Sequence, residues 1–354
     1  MNNATLLVQV AEVLRKTFPF AAAVEITAQT TADDVDGWDS LSHALFVMNI
    51  ERAFALRFGP ADVIDLENVG DLVRLVAAAR AVLPRMPKLI VYGNCQSAAL
   101  FEVLKQIPEI SSRWNVVHHE LWAAGETLDR ALADFDDCEV LVQQDVRNWR
   151  THPLHDKLPA HIRVVRFPFC YVGALWPFDG HQNGNDPGWR CGEGEAQFGF
   201  TDNLLARLRP QFPDPEERFA HYRDLDLPDI VDIARYAELE EARLLHEDAR
   251  LGSTLGRFIV DNYRTTRLFH AITHPTPPLL TRIAAEVVAK LGLDDSPFAD
   301  KVLDYLAYYQ VPIHPHVAAA LGLQWFSPHE TYNFQNRERL DFATYYRRYI
   351  RVYG

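Results

Sequence analysis

The chain has 354 residues, more than the roughly 100 to 200 residues usual for one domain, so two domains are expected. Its hydrophobic fraction of 48% and charged fraction of 23% are typical of a folded globular protein. The 35 basic and 48 acidic side chains give a net charge of −13, and this negative field argues against binding to nucleic acid phosphates.

The amino-terminal residues and the cysteines argue against a targeting segment, a membrane span, a disulfide framework and a zinc site. Residues 1–3 show no basic segment before an apolar one, and no apolar run reaches the ~20 residues that span a bilayer. We therefore expect a cytoplasmic protein without a membrane span. The four cysteines lie far apart, form no C-x-x-C pair and predict neither a disulfide framework nor a zinc site. They are Cys95, Cys138, Cys170 and Cys191.

Residues 1–84 predict a small bundle of four helical segments. Apolar residues recur at helical spacing in each segment, and Pro19 stops the first one. The predicted segments are 4–18, 41–54, 62–66 and 69–82. Two prolines in residues 84–87 then predict a linker to a second domain over residues 85–354.

From about residue 88 to 200, strand patterns alternate with helical ones, which predicts a parallel α/β sheet. The predicted strands are 89–92, 115–118, 139–143 and 163–167. One predicted helix follows the first strand and ends at residue 107. A second is predicted at 127–135, and a further segment lies near 149–158. Beyond residue 200 the patterns are almost all helical and predict a helical cap over about 201–354. Its predicted helices are 215–222, 231–250, 255–269, 277–291 and 298–309.

Ser40 is the first candidate functional residue, because it follows an acidic loop at the start of a predicted helix. A helix N-terminus favours an attached phosphodiester, since the positive end of the helix dipole lies there. The alternative is that Ser40 is only an N-cap, a position at which serine is common anyway. The surrounding motif is Asp36-Gly37-Trp38-Asp39-Ser40-Leu41-Ser42.

Residues 1–84 strongly resemble an acyl carrier protein. The resemblance rests on this motif, on the order of the helices and on an excess of eleven acidic over six basic side chains. The resemblance implies that Ser40 carries 4′-phosphopantetheine and that residues 41–56 form the acidic recognition helix. It also implies a phosphopantetheinyl transferase and an acyl-loading enzyme as partners. Glu51 and Arg52 make this helix less densely acidic than the strongest examples.

Cys95 is the second candidate, in the turn Gly93-Asn94-Cys95-Gln96 between a predicted strand and a predicted helix. Open α/β sheets hold reactive groups at such turns. A helix N-terminus lowers a thiol pKa, and the neighbouring backbone amides can hold an oxyanion. The alternative is a small buried cysteine without chemistry.

The same turn resembles the WcbI-type family of polysaccharide biosynthesis acetyltransferases, and its layout is similar to that of SGNH hydrolases. Further matching segments lie at residues 138–144, 167–171, 262–264 and 273–276. Thr273 is a departure, because the family commonly has asparagine before the histidine of this last motif. The resemblance implies coenzyme A or acyl coenzyme A as donor or product, with Gly93 and Gln96 at the cofactor.

His274 is the predicted base, because it precedes a proline-rich helix start whose positive end keeps a histidine neutral. A capping or core histidine is the alternative. Gln144 and Asn94 are candidate oxyanion donors or simple polar core residues, and Asp145 or Asp261 could orient the base. Residues 180–194 are glycine-rich and predict either a lid or a plain loop. The histidines at 118–119 and 314–316 lack a third ligand, so no metal is predicted.

Together these features predict an acyltransferase that moves an acyl group from a phosphopantetheine thioester to an acceptor hydroxyl, with a small molecule or saccharide as acceptor. One alternative is a thioesterase or hydrolase that uses the same cysteine turn with water as acceptor. Another is a carrier or docking protein without catalysis. The acyl group, the acceptor, covalent or direct transfer, carrier action in cis or in trans and the oligomeric state stay open.

Overall fold

The structure is a computed structural model that describes residues 3–18, 24–54, 56–64, 66–82, 86–122, 124–146, 154–180, 198–294 and 302–353. The chain divides into two compact units, Met1–Met86 and Pro87–Gly354. The sequence placed this boundary at residues 84/85. Within the described residues, no helix combines the length and apolar character that crossing a membrane requires.

The described residues of the amino-terminal unit include four α-helices around an apolar core. They are α1 (Asn3–Thr17), α2 (Ser40–Phe54), α3 (Pro60–Ile64) and α4 (Val69–Val82). Leu6, Val10 and Leu14 of α1 recur every fourth residue and are buried, because this spacing places them on one helix face. The Trp38 ring stacks on Phe18 at a centroid distance of 4.7 Å and holds the loop before α2 against this core.

The second unit begins with a four-stranded parallel sheet of order β2-β1-β3-β4. The strands are β1 (Lys88–Gly93), β2 (Asn115–Glu120), β3 (Cys138–Asp145) and β4 (Arg163–Pro168). Leu89, Ile90 and Val91 are fully buried, since helices cover both faces of the central strands. The first helices of this part are α5 (Cys95–Leu104), α6 (Pro108–Ser111) and α7 (Glu126–Ala133).

The carboxyl-terminal part is mainly helical. Its helices are α8 (Asn203–Leu208), α9 (Pro215–Arg223), α10 (Ile233–Leu251), α11 (Leu255–Asn262), α12 (Pro277–Leu291), α13 (Pro315–Leu321) and α14 (Phe342–Tyr353). Two small antiparallel pairs interrupt them. They are β5 (Phe269–Ala271) with β6 (His274–Pro275), and β7 (Thr331–Phe334) with β8 (Glu338–Asp341). The predicted class, a helical amino-terminal part and a parallel α/β sheet with a largely helical carboxyl-terminal part, is confirmed.

Two helix predictions in this part are wrong. The helix predicted over 255–269 ends at Asn262, because residues 269–271 leave the helical path to pair with β6. The helix predicted over 298–309 is absent from its described residues, 302–309, where Tyr309 instead forms a bridge with Phe334. In the first place pairing within a short hairpin, and in the second a bridge to a residue 25 positions away, outweighs the local helical pattern.

We expect Gly256→Ala to destabilise the second unit, because α10 and α11 approach closely at this glycine. A Cβ atom at Gly256 would lie 2.3 Å from the carbonyl oxygen of Leu244 in α10, so the two helices must separate. Overpacking of this kind costs about 1–3 kcal/mol of unfolding free energy, measurable by urea denaturation.

The matched control is Gly199→Ala, whose added Cβ would meet nothing closer than a Tyr309 ring carbon at 4.0 Å. Its unfolding free energy should change by less than about 1 kcal/mol. Equal stability of the two variants would contradict the close contact between α10 and α11.

Candidate functional site

Cys95 is the first residue of α5 and lies where β1 ends, at the carboxyl edge of the parallel sheet. Asn94 caps the helix, because its side-chain oxygen accepts a hydrogen bond of 3.0 Å from the amide of Gln96. The side chain of Asn94 therefore secures the turn. This is the location at which open α/β sheets hold reacting groups.

Two buried glutamines fix the turn that presents Cys95. Gln144, near the end of β3, accepts a 3.0 Å hydrogen bond from the amide of Asn94 and donates one of 2.9 Å to Gln96 Oε1. Gln96 in turn donates to the carbonyl of Cys170 at 2.5 Å and accepts from the Cys170 amide at 3.2 Å. The structure thus brings three predicted site residues, Asn94, Gln96 and Gln144, together in one network.

Gly93 allows this network to form. A Cβ atom at Gly93 would lie 2.6 Å from Gln144 Oε1 and 2.7 Å from Gln144 Cβ. The sequence led us to expect that the missing side chain admits a substrate close to the backbone. In the structure the close approach at Gly93 is made by Gln144, and its amide group is thereby held against the turn.

The sulfur of Cys95 is partly buried and faces Thr273, in the short connection between β5 and β6. Its distances are 3.3 Å to Thr273 Oγ1 and 3.7 Å to the Thr273 carbonyl oxygen. Burial raises the pKa of the Cys95 thiol, while the Thr273 hydroxyl and the amides of Cys95 and Gln96 act in the opposite direction. The helix N-terminus therefore favours the thiolate, but burial outweighs it.

His274 lies next to Thr273 in the chain but has different surroundings. Its Nδ1 is 3.3 Å from the carbonyl oxygen of Tyr309, and its ring contacts those of Phe200 and Tyr308. Burial lowers the pKa of His274 to about 4, so the ring is neutral at neutral pH. No hydrogen bond joins His274 to Cys95, both of which are described. The neutrality of His274 comes from burial and not from the positive end of α12, because that helix begins only at Pro277.

The two candidate orienting acids both form ion pairs elsewhere. Asp145 pairs with Arg250, and Asp261 pairs with Arg257 at 3.3 Å. Sequence reasoning missed a buried histidine in the same region, His270, whose Nε2 lies 2.8 Å from Asp304 Oδ1. No sequence signal marked this pair, because its members are 34 residues apart.

Ser40, in the other unit, is exposed, and its hydroxyl forms no hydrogen bond with any described residue. The capping role is filled by its neighbours. The amide of Ser42 donates to Asp39 Oδ1 at 2.8 Å, and the amide of Asp39 donates to Ser42 Oγ at 2.7 Å. The Ser42 amide and the Ser42 hydroxyl, which lies 2.9 Å from the same carboxylate oxygen, lower the pKa of Asp39. The alternative of Ser40 as an N-cap is therefore not supported by the geometry.

Some predicted features lie outside the described residues. They are residues 181–194 of the glycine-rich loop, Cys191, residues 84–85 of the linker, and residues 149–153 of the segment predicted near 149–158. Among the residues that are described, no three His, Cys, Asp or Glu side chains are placed to hold a metal ion.

The parallel sheet with a thiol at its carboxyl edge defines an open α/β domain. Residues 88–296 match the family model described as "Polysaccharide biosynthesis enzyme WcbI". Because this match covers more than half of the chain, the chain belongs to that family. No curated protein matches the chain.

Two solved structures are similar. One, described as WcbI, a novel polysaccharide biosynthesis enzyme, has 22% sequence identity and a TM-score of 0.59 over 76% of this chain and 91% of its own. The other, a holo acyl carrier protein from Geobacter metallireducens, has 33% identity over 22% of this chain and 86% of its own, with a TM-score of 0.21. The resemblance to both families is confirmed, the carrier resemblance by sequence identity and coverage alone.

We expect Thr273→Val to slow the alkylation of Cys95 by iodoacetamide about two- to tenfold at neutral pH. The substitution removes the hydroxyl that lowers the thiol pKa, and one hydrogen bond is worth about 0.5–1.5 kcal/mol. In both proteins the rate should continue to rise with pH beyond the ordinary cysteine pKa, since only the thiolate reacts. Mass mapping of the peptide that contains Cys95 measures the rate.

Thr273→Ser keeps the hydroxyl and is the control, with a rate expected near that of the wild type. If the valine variant reacted as fast as the serine variant, the hydroxyl would have no influence on the thiol.

Proposed function

We propose that this protein is an acyltransferase that moves an acyl group from a pantetheine thioester to a hydroxyl group of a saccharide. The observation that carries the proposal is the position of Cys95, at the first turn of α5 with the amides of Cys95 and Gln96 acting on its sulfur. A thiol at such a helix start can attack a carbonyl carbon, and the same helix end stabilises the developing oxyanion.

Ser40 fits the attachment of phosphopantetheine. Its hydroxyl is exposed and without a hydrogen bond to any described residue, and it begins a helix of 15 residues whose positive end favours a phosphodiester. When bound, this group would supply a long flexible arm that ends in an acyl thioester. Acyl coenzyme A, which has the same pantetheine end, is the other donor we consider.

In the covalent version, the Cys95 sulfur attacks the acyl carbon of the donor. A new carbon–sulfur bond forms, the donor's carbon–sulfur bond breaks, and the proton of the Cys95 thiol ends on the departing donor thiol. The acceptor hydroxyl then attacks the acyl carbon, its proton is taken by a base, and the Cys95 sulfur leaves and is protonated again. In the direct version the acceptor attacks the donor without an acylated cysteine.

His274 is our choice of base in both versions. The Tyr309 carbonyl can only accept a hydrogen bond, so we assign the proton of the neutral ring to Nδ1 and take Nε2 as the basic nitrogen. Because His274 has no hydrogen bond to Cys95, we assign it to the acceptor hydroxyl rather than to the thiol. Its pKa, lowered to about 4, keeps it unprotonated at neutral pH.

The comparisons support a pantetheine ligand and a saccharide pathway. The similar WcbI structure is described as native protein without a disulfide bond between coenzyme A and one of its own cysteines. Because that description names coenzyme A beside a cysteine of the related protein, it supports a pantetheine donor for Cys95. The family description adds polysaccharide biosynthesis, which favours a sugar hydroxyl as acceptor.

The test is intact-protein mass spectrometry after treatment with a phosphopantetheinyl transferase and acyl coenzyme A. We expect the wild type to gain the arm at Ser40 and, in the covalent version, a second acyl adduct at Cys95. Ser40→Ala should lose the arm, and it should also lose the second adduct if the arm rather than acyl coenzyme A is the donor. Cys95→Ala should lose only the second adduct. Ser42→Ala and Cys138→Ser, which change neighbouring or buried groups of the same kind, are the matched controls.

Addition of hexoses then separates the remaining functions. A sugar ester that forms with wild type but not with Cys95→Ala supports acyl transfer through the cysteine. Free acid without an ester indicates a hydrolase, and an acylated arm that is stable in all variants indicates a carrier without catalysis. A wild type that accepts no arm contradicts the carrier assignment.

A further inference from the structure

A cavity in the second unit borders the region of His274. It holds about 460 Å³ of empty volume, part of which is open to solvent. Phe200 lines this cavity, and its ring packs edge-on against the ring of His274 at a centroid distance of 5.4 Å. Ile272, which precedes Thr273 in the chain, lines the same cavity. The cavity therefore lies next to the histidine that we assign to the acceptor hydroxyl.

Asp202 places a buried carboxylate at this cavity and retains 8% exposure. Its Oδ1 accepts a 2.8 Å hydrogen bond from the Leu205 amide, and its Oδ2 accepts one of 2.7 Å from the Tyr222 hydroxyl. No described Lys, Arg or His side chain forms an ion pair with Asp202. Burial raises the pKa of Asp202 to about 6, so the group is still mainly ionised at neutral pH. A buried negative charge of this kind lacks the cation that would stabilise it.

The rest of the cavity wall is acidic or aromatic. Asp179 is a second, half-buried acid, and the described lining residues include no lysine or arginine. The one histidine among them, His314, is neutral at neutral pH because burial lowers its pKa to about 4. The aromatic part of the wall includes Trp176, Phe178 and three tyrosines of α14. The wall is therefore complementary to an organic cation.

We propose that this cavity binds the primary ammonium group of an amine-bearing substrate, with Asp202 as the counter-ion. The inference rests on the proposed function, since it gives a substrate class to the same site. Aromatic faces attract organic cations, and a desolvated carboxylate attracts an opposite charge more strongly than an exposed one does. The amine belongs either to an amino sugar that supplies the acceptor hydroxyl or to an aminoacyl group on the donor thioester. Both present the same ammonium group.

The test measures binding to the full chain by titration calorimetry at neutral pH with two matched pairs of probes. D-glucosamine is compared with D-glucose, and β-alanyl coenzyme A with butyryl coenzyme A, which has a methyl group in place of the ammonium group. In one pair we expect the ammonium member to bind about tenfold or more tightly than its neutral partner, because it adds a desolvated cation contact. The pair that shows this preference identifies the source of the amine.

Asp202→Asn should reduce the preference to less than about threefold, because the amide has nearly the same size and still accepts a hydrogen bond but carries no charge. Asp232→Asn is the matched control and should keep the wild-type preference. Asp232 caps α10 as Asp202 caps α8, by accepting a hydrogen bond from the amide three residues on, but it is exposed and does not line the cavity.

A second measurement uses the wild type alone and does not depend on the folding of a variant. The preference for the ammonium member should shrink as the pH falls through about 6, because Asp202 then gains a proton and loses its charge. Tyr222 and Tyr346, which face Asp202 from α9 and α14, stay protonated in this range because burial raises their pKa. Tyr349 donates no charge to the pair, since its oxygen accepts the Asp202 amide, and Asp179 is the other acid among the described lining residues.

The other outcomes overturn the inference. If the wild type bound both members of each pair equally, the cavity would not select a cation. A preference that persists in Asp202→Asn, or that does not change with pH, would show that Asp202 is not the counter-ion. Equal binding of the two thioesters leaves the proposed function intact, whereas a wild type that binds neither thioester and accepts no arm removes the donor that the proposed function requires.

Discussion

The hydrogen-bonded pair of buried amides, Gln96 and Gln144, is the contact on which the thiol site depends. It connects three segments that follow different strands: the turn after β1, the end of β3 and the segment after β4 at Cys170. Buried amides must find partners, since an unsatisfied one costs about 1–3 kcal/mol. The two side chains satisfy each other and the turn at once, which leaves a single arrangement for the residues around Cys95.

Two opposing influences act on the pKa of the Cys95 thiol, which this network holds in place. The helix start and the Thr273 hydroxyl favour a thiolate, while burial disfavours it, and burial prevails. A cysteine that stays protonated until a substrate arrives is protected from oxidation and from stray electrophiles, because both attack the thiolate. Ser40 is the opposite case, exposed at the start of a helix in a separate unit.

Local patterns were sufficient for the parts of the fold that neighbours in sequence determine. The four strands of the parallel sheet were predicted within about two residues at each end, because apolar runs between helical segments are distinctive. The antiparallel pairs at 269–275 and 331–341 were not predicted, since strands of two to four residues carry little periodic signal.

The contacts of the site join residues that are far apart in the chain, and local patterns do not show such contacts. The sequence indicated Asn94, Cys95, Gln96 and Gln144, but not that the glutamines bind each other. It also could not show that Thr273, rather than His274, contacts the sulfur. The likeness to SGNH hydrolases stays a prediction.

The reciprocal hydrogen bonds between Asp39 and Ser42 have a consequence for how the carrier unit tolerates chemistry. The start of α2 is secured by Asp39 and Ser42 and does not use the Ser40 hydroxyl. Esterification of that oxygen would therefore remove no hydrogen bond to a described residue. If Ser40 carries the arm as proposed, the unit can therefore fold before the arm is attached.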